Sequence, residues 1–583
     1  MNTWLPTSGI QPTDEFMDII YHDGSLSVLA GAGSGKTELL AQKSNFIFSH
    51  NKCVWPLRIL CLTFKNEASD NIRERVMARV PDCIGRFDAY TFHAFSKNIV
   101  DRFKSILPEK IRPTDDYELV LKENQANGKS KVFMGNVIKL AIEILESQKQ
   151  IRDLFSFSYS YVFIDEFQDT TDDQYKLLKV LFLGTSSKLI GVGDINQSIM
   201  LWANADLNRF NQFNTDFNAN QKLLLNNFRA NDEIKIVLKS FISFLETKET
   251  KETKETKETK ETKETKETKE TLINIECNNN CNISIFKNEN SEAIALKKHI
   301  LKLKESGMDL NEICILTKQL SKEYTKTLSN LLNASNINNV DMSDIQEYLS
   351  EPVGVIFNLF IRNIILKKPK DTHDLINYFL LVNGIEENNP IADELTHDIS
   401  SFISDNRKSH NKSDLDSLIA MTKKLFQLFT YEKIRKTWSQ YKSKEYFDKV
   451  CSSLEVHYRN VYSVTGNLKD ATLMFNGDNA IKIMNIHKCK GLEFKAVILV
   501  GLEDQAFWNY KGNEFENNCA IYVALSRARE NIYITLSHYR GHRLKNGWDN
   551  RYSSFENLEP VINHLIHACK FNTYDEKKSK IYN

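Results

Sequence analysis

Residues Ala30–Thr37 read AGAGSGKT, directly after the apolar run Ser27–Ala30 (SVLA) and directly before a segment with helical spacing. Gly33 and Gly35 let the backbone close around an anion, and the amides of Ala32, Gly33, Ser34 and Gly35 can point at phosphate oxygens. A helix N-terminus behind the loop adds its positive dipole. Lys36 is placed to reach the β and γ phosphates, and the Thr37 hydroxyl to ligate Mg2+. Ala30 stands where the strict pattern has Gly, a position that needs only a small side chain. This stretch predicts a site for ATP and Mg2+ on a strand–loop–helix unit.

Outward from the loop, short apolar runs alternate with helical segments: RILCLTF, YVFID, KLIGVGD and QKLLLN. Strands so short and so apolar are buried on both faces, which predicts an α/β fold around a parallel sheet. The segment 104–155 interrupts this rhythm and reads as a mainly helical insertion. Asp165 and Glu166 end the run YVFID, at the carboxyl edge where the phosphate loop also lies. One carboxylate can hold Mg2+ and the other can orient and deprotonate the attacking water. Without a phosphate loop upstream, such a pair would be an ordinary loop start.

The triplet ETK repeats from Glu246 to Thr271. Like charges fall three apart and every third residue is Thr, so helix support is weak and a solvated loop is expected. The repeat marks a seam, and residues 232–271 read as a connector between a first domain (1–231) and a second (272–367 and 475–583). The second resumes the α/β pattern with ISIFK, EICILT, IKIMNI, AVILVGL and NIYITL, and carries its own helical insertion, 368–474.

At 583 residues, 41% hydrophobic and 26% charged, the chain is built for several packed domains. Lys plus Arg and Asp plus Glu each number 76, so any nucleic-acid contact must come from a local groove rather than a global field. No basic-then-apolar leader or membrane-length run is present, which predicts a cytoplasmic protein. Cys277 and Cys281 lack a second pair, so no structural metal is expected.

Eight blocks in order then resemble the motifs of UvrD/Rep-like superfamily I helicases: the phosphate loop, LTFKNEASDNIRERV (62–76), TFHAF (91–95), DEFQDT (165–170), GVGDINQSIMLW (191–202), LNNFRA (225–230), IHKCKGLEF (486–494) and YVALSRA (522–528). The resemblance implies two RecA-like lobes with ATP in the cleft and single-stranded DNA across the top. It makes Gln197 the γ-phosphate sensor and Arg229 and Arg527 arginine fingers, alongside Lys36, Asp165 and Glu166 as catalytic groups. Phe228 would stack on adenine and Gln11 would read it, although Gln11 reads equally as a surface residue. Glu493 would lie near the ribose and phosphates, with Lys490 and Gly491 shaping its loop. Thr63, Phe64, Asn66, Thr91, His93, Trp202 and His487 would line the DNA path. For Phe64 and Trp202 the competing reading is buried packing, and for the histidines a place at the domain interface.

Departures from the pattern are local. Met200 and Ala203 stand where the third motif usually has Tyr and Arg, which implies altered coupling of ATP to strand movement. The expected activity is a 3′ to 5′ translocase or helicase acting at single-strand/double-strand junctions in repair or anti-phage defence. Compact relatives of this kind resemble Gabija-type defence helicases, which pair with an OLD-type nuclease. A second expectation of a different class is therefore a DNA-sensing ATPase that regulates such a nuclease without unwinding.

Overall fold

The computed structural model describes residues 4–7, 12–83, 85–115, 117–120, 123–197, 208–254, 278–385, 389–409, 414–541, 552–577 and 580–582. In the first half the main strands are β1 (Leu26–Ala30), β2 (Arg58–Thr63) and β3 (Phe87–Thr91). A short pair follows, β4 (Glu118–Val120) and β5 (Lys131–Phe133), then β6 (Tyr159–Ile164), β7 (Lys188–Gly193) and β8 (Asn220–Leu224). The six main strands form one sheet in the order β3-β2-β6-β7-β1-β8, parallel throughout. Alternate residues serve opposite cores: Leu60 and Leu62 pack on one face, Ile59 and Cys61 on the other. That double burial explains why the strands read as unbroken apolar runs.

The second half contributes β9 (Asn278–Phe286), β10 (Ile313–Thr317), β11 (Asn339–Asp341), β12 (Ile481–Asn485), β13 (Phe494–Val500), β14 (Ala528–Ser537), β15 (Phe571–Asp575) and β16 (Lys580–Tyr582). Their order is β11-β12-β10-β13-β14-β9-β15-β16, and only β16 runs antiparallel to its neighbour. The chain thus holds two RecA-like α/β lobes. The helical region of the second lobe, from Gln346–Ser350 through Leu468–Phe475, begins earlier than the sequence boundary at 368.

Two elements differ from the sequence reading. The interruption in the first lobe contains helices Val137–Ser147 and Lys149–Ser158 but also the small parallel β4–β5 sheet, whose strands are too short to show a period. Residues expected to form a connector instead begin with a helix, Asp232–Lys254, which runs into the ETK repeat. Its Ile234, Val237, Leu238, Phe241 and Leu245 enter the second lobe's core. Once those apolar turns are nucleated by packing, adding further turns costs little even where ETK itself favours none. The remainder of the repeat, together with Cys277, lies outside the described residues.

Arg540 ties the second lobe together behind the sheet. It is 1% exposed, donates to Glu292 at 2.7 Å and pairs with Glu503, and its guanidinium stands 4.9 Å from the Tyr324 ring centre. Truncation would leave two buried carboxylates facing each other. Arg540→Ala is expected to destabilise the second lobe by about 3–5 kcal/mol, read as a lower temperature for its calorimetric transition.

Candidate nucleotide and strand site

The phosphate loop leaves β1 and enters the helix Lys36–Ser49. Gly33 and Gly35 hold left-handed φ angles of 70° and 84°, which only glycine adopts without strain. A side chain at Gly33 would also run into Asn227 and Arg229. This approach is fixed by backbone: Phe228 N–H donates to the Gly33 carbonyl at 3.0 Å, and Gly31 N–H to that of Leu224 at 2.9 Å. The Asn227 side-chain Oδ1 accepts the N–H groups of Arg229 and Ala230, at 2.8 and 3.1 Å. Phe228 is 63% exposed beside the loop, which leaves its ring free to meet a flat ligand.

Asp165 follows β6 and Asp194 follows β7, both buried, with β7 beside β1 and β6 one strand further along the sheet. The Asp165 carboxylate accepts Glu166 N–H at 3.0 Å. Glu166 sits at φ 51°, a strained conformation of the kind found at functional sites. Gln168 bridges these acids, donating to Glu166 at 2.7 Å and accepting Asp194 N–H at 2.9 Å. Burial and the Glu166 charge push the Asp165 pKa up, and Lys36 opposes them. Burial acts upward on Glu166 too, but Lys490 and Lys36 outweigh it and hold its carboxylate ionised.

The second lobe reaches into the same place. Arg527 Nη2 donates to Gln197 Oε1 at 3.0 Å, while Gln197 Nε2 donates to Asp194 at 2.7 Å. Arg229 Nη1 donates to the Ser526 carbonyl at 3.2 Å, and its Nε pairs with Glu493. Glu493 also holds Arg529 at 2.6 Å. Lys490 pairs with Asp169 and lies 3.8 Å from Glu166. Burial disfavours the Lys490 charge, yet Asp169 and Glu166 win and its pKa is raised. The buried Tyr522 hydroxyl meets the backbone of Ala32, and burial pushes its pKa up.

The pattern of the UvrD/REP helicase N-terminal domain matches residues 14–107 and 111–218, and that of the UvrD-like helicase C-terminal domain matches 223–539. The chain belongs to the UvrD/REP helicase family. Similar proteins of this family include a probable DNA helicase II homolog of Mycoplasma capricolum subsp. capricolum, 23% identical over 88% of this chain and 82% of that protein. Two proteins called ATP-dependent DNA helicase PcrA are each 22% identical over 88% of this chain. They come from Leuconostoc citreum and Staphylococcus aureus (strain Mu50), and the match covers 80% and 81% of their lengths.

The residues fit a Mg2+-bound triphosphate. The Ser34 hydroxyl is buried in the loop without a partner among the described residues. Thr37 and Asp165 would hold the cation, which when bound would neutralise phosphate charge. No cluster of three or more metal-ligating side chains occurs among the described residues, and none of their helices is long and apolar enough to cross a membrane.

Along the strand path the placement is uneven. Thr63 is fully buried and donates to the Lys65 carbonyl at 2.9 Å, so its side chain shapes the loop and offers no exposed surface to a ligand. Thr91 caps the helix Phe92–Phe103 by accepting Ala94 N–H. Phe64, His93 and His487 are half-buried. Burial lowers the pKa of His93, and burial with Lys318, Lys65, Lys488 and Lys490 lowers that of His487 to about 4, so both imidazoles are neutral at pH 7. Gln11 and Trp202, with Met200 and Ala203, lie outside the described residues, as does the side chain of Asn66.

Sequence reading passed over Asn227, Tyr522 and the pairing of Lys490 with Asp169. Each lies inside a quoted motif, so the motif text was the available signal. Gly33→Ala is expected to strain the loop by about 1–3 kcal/mol. The outcome to measure is weaker binding of a fluorescent ATP analogue with an unchanged circular dichroism spectrum.

Proposed function

We propose that this UvrD-like protein hydrolyses ATP to move along single-stranded DNA, 3′ to 5′, and opens duplex at junctions in repair or anti-phage defence. The carrying observation is the meeting of Arg229 and Arg527, from the two halves of the chain, beside Gln197 and the phosphate loop. The names of the similar proteins, DNA helicase II and PcrA, support the same reading.

The chemistry follows from charge. Burial and the neighbouring Arg527 press the Arg229 pKa down, so two guanidiniums repel each other across the lobe junction, and Glu493 offsets this on the Arg229 side. A γ phosphate between them would satisfy both, drawing the lobes together. Lys36 would hold the phosphates while Glu166, kept ionised, takes the proton of the attacking water. Loss of the γ phosphate restores the repulsion and lets the lobes part. Gln197, hydrogen-bonded to Arg527, would couple the phosphate to that movement. Alternating closure, with the strand held on both lobes, becomes directed stepping.

The second reading is a DNA-sensing ATPase that regulates a partner nuclease without unwinding on its own, on the strength of Met200 and Ala203 in the sequence. Single-stranded DNA is expected to stimulate ATP hydrolysis by the native chain, and Lys36→Ala to abolish it. Arg527→Ala is expected to lower kcat by about 10³ or more. Strand displacement by the chain alone supports the motor; ATPase stimulation with no displacement until the neighbouring gene product is added supports the regulator. DNA-independent ATPase would refute both.

A further inference from the structure

A buried chain of hydrogen bonds joins Glu166 to Arg527 of the second lobe, and Gln168 is its first link. Gln168 Nε2 donates to Glu166 Oε2 at 2.7 Å, and Gln168 Oε1 accepts Asp194 N–H at 2.9 Å. Asp194 Oδ2 in turn accepts from Gln197 Nε2 at 2.7 Å, and Gln197 Oε1 accepts from Arg527 Nη2 at 3.0 Å. Gln168, Asp194, Gln197 and Arg527 are no more than 3% exposed, so bulk water does not compete for these bonds.

Glu166 needs such a partner. It lies between β6 and the short turn Phe167–Asp169 with a left-handed backbone, so neither a sheet pleat nor a helix face sets the direction of its side chain. Among the described residues its carboxylate accepts a hydrogen bond only from Gln168, and Lys490 stands further off at 3.8 Å. The two ends of the Gln168 amide cannot be exchanged. An ionised carboxylate asks for a donor on one side, and the Asp194 N–H asks for an acceptor on the other. Neither Glu nor Met at this position could satisfy both. Gly193 completes the fit, since a Cβ there would stand 2.2 Å from Gln168 Oε1 and 3.0 Å from the Gln168 backbone nitrogen.

We propose that Gln168 is a positioning residue for hydrolysis: its amide sets the direction in which the Glu166 carboxylate meets the attacking water and ties that direction to Asp194. A general base works only within hydrogen-bond reach of the proton it removes. A carboxylate left to rotate would face the water for a fraction of the time. Through Asp194 and Gln197 the same link extends to Arg527, so the base holds its working direction when the second lobe's guanidinium is in place. This deepens the reading of the chain as an ATP-driven motor and rests on it.

The test measures steady-state ATP hydrolysis by the full chain with saturating single-stranded DNA, alongside binding of a fluorescent ATP analogue. In Gln168→Met, similar in length but without the amide, kcat is expected to fall roughly 10²-fold while KM for ATP and analogue affinity stay within about twofold. Gln168→Glu keeps an acceptor for Asp194 but sets a second carboxylate against Glu166, and its kcat is expected to fall as far. In a Glu166→Gln background, Gln168→Met should cost little more, because Gln168 acts through Glu166. Native kcat in Gln168→Met, native kcat in Gln168→Glu, or full additivity of Gln168→Met with Glu166→Gln overturns the proposal and leaves the motor reading intact. Gly193→Ala, which displaces the amide oxygen without altering its chemistry, decides the matter should Gln168→Met fail to fold. A fall in its kcat at native analogue affinity supports the proposal, and a native kcat overturns it. Absence of ATP hydrolysis by the native chain overturns the motor reading and this inference with it.

Discussion

Like charges gathered at one sheet edge set the terms for the whole molecule. Lys36, Arg229, Lys490, Arg527 and Arg529 gather at the lobe junction, Arg527 buried and Arg529 half-exposed, and Glu166, Asp169 and Glu493 compensate part of their charge. In low dielectric such a group is unstable unless it is matched by anions. Those three carboxylates supply part of the match, and the phosphate loop provides room for more. The need to hold these cations close without collapse explains why both lobes spend so much rigid structure on one seam.

Parallel sheets are what make the arrangement possible. Every strand of the first sheet ends at the same edge, so Ala30, Ile164 and Gly193 deliver the loop, the acid pair and Asp194 side by side. In the second sheet β14 begins immediately after Arg527, and β13 begins immediately after Glu493. The lobes therefore face each other through strand ends and short loops, the parts of an α/β fold least constrained by core packing.

Much of this was readable from residues alone because the motifs are local. AGAGSGKT encodes its own backbone through Gly33 and Gly35, and YVFID places Asp165 at a strand end whatever the rest of the chain does. What resisted reading is tertiary. Nothing near Lys490 in the chain says that it meets Asp169, and the approach of Asn227 to Gly33 depends on β8 lying next to β1. Thr63 was read as a DNA contact from its motif alone, whereas its side chain is buried and its hydroxyl is spent on the Lys65 carbonyl. The helix Asp232–Lys254 was read as a connector because ETK has no apolar face, whereas its first turns are held by the second lobe's core. Strands β4, β5 and β16, three residues each, are too short to carry a pattern.

The segment 228–231 is tied at both ends. Phe228 N–H is fastened to the phosphate loop, and Asn231 N–H donates to the Arg529 carbonyl of β14 at 2.8 Å. Between these anchors there is no slack to absorb a displacement. A shift of the loop by a fraction of an ångström must reappear at the start of β14, as play-free gearing passes rotation from one wheel to the next. Four residues, 228–231, thus bridge the phosphate loop and β14, so any change of angle between those two bodies falls on their backbone torsions.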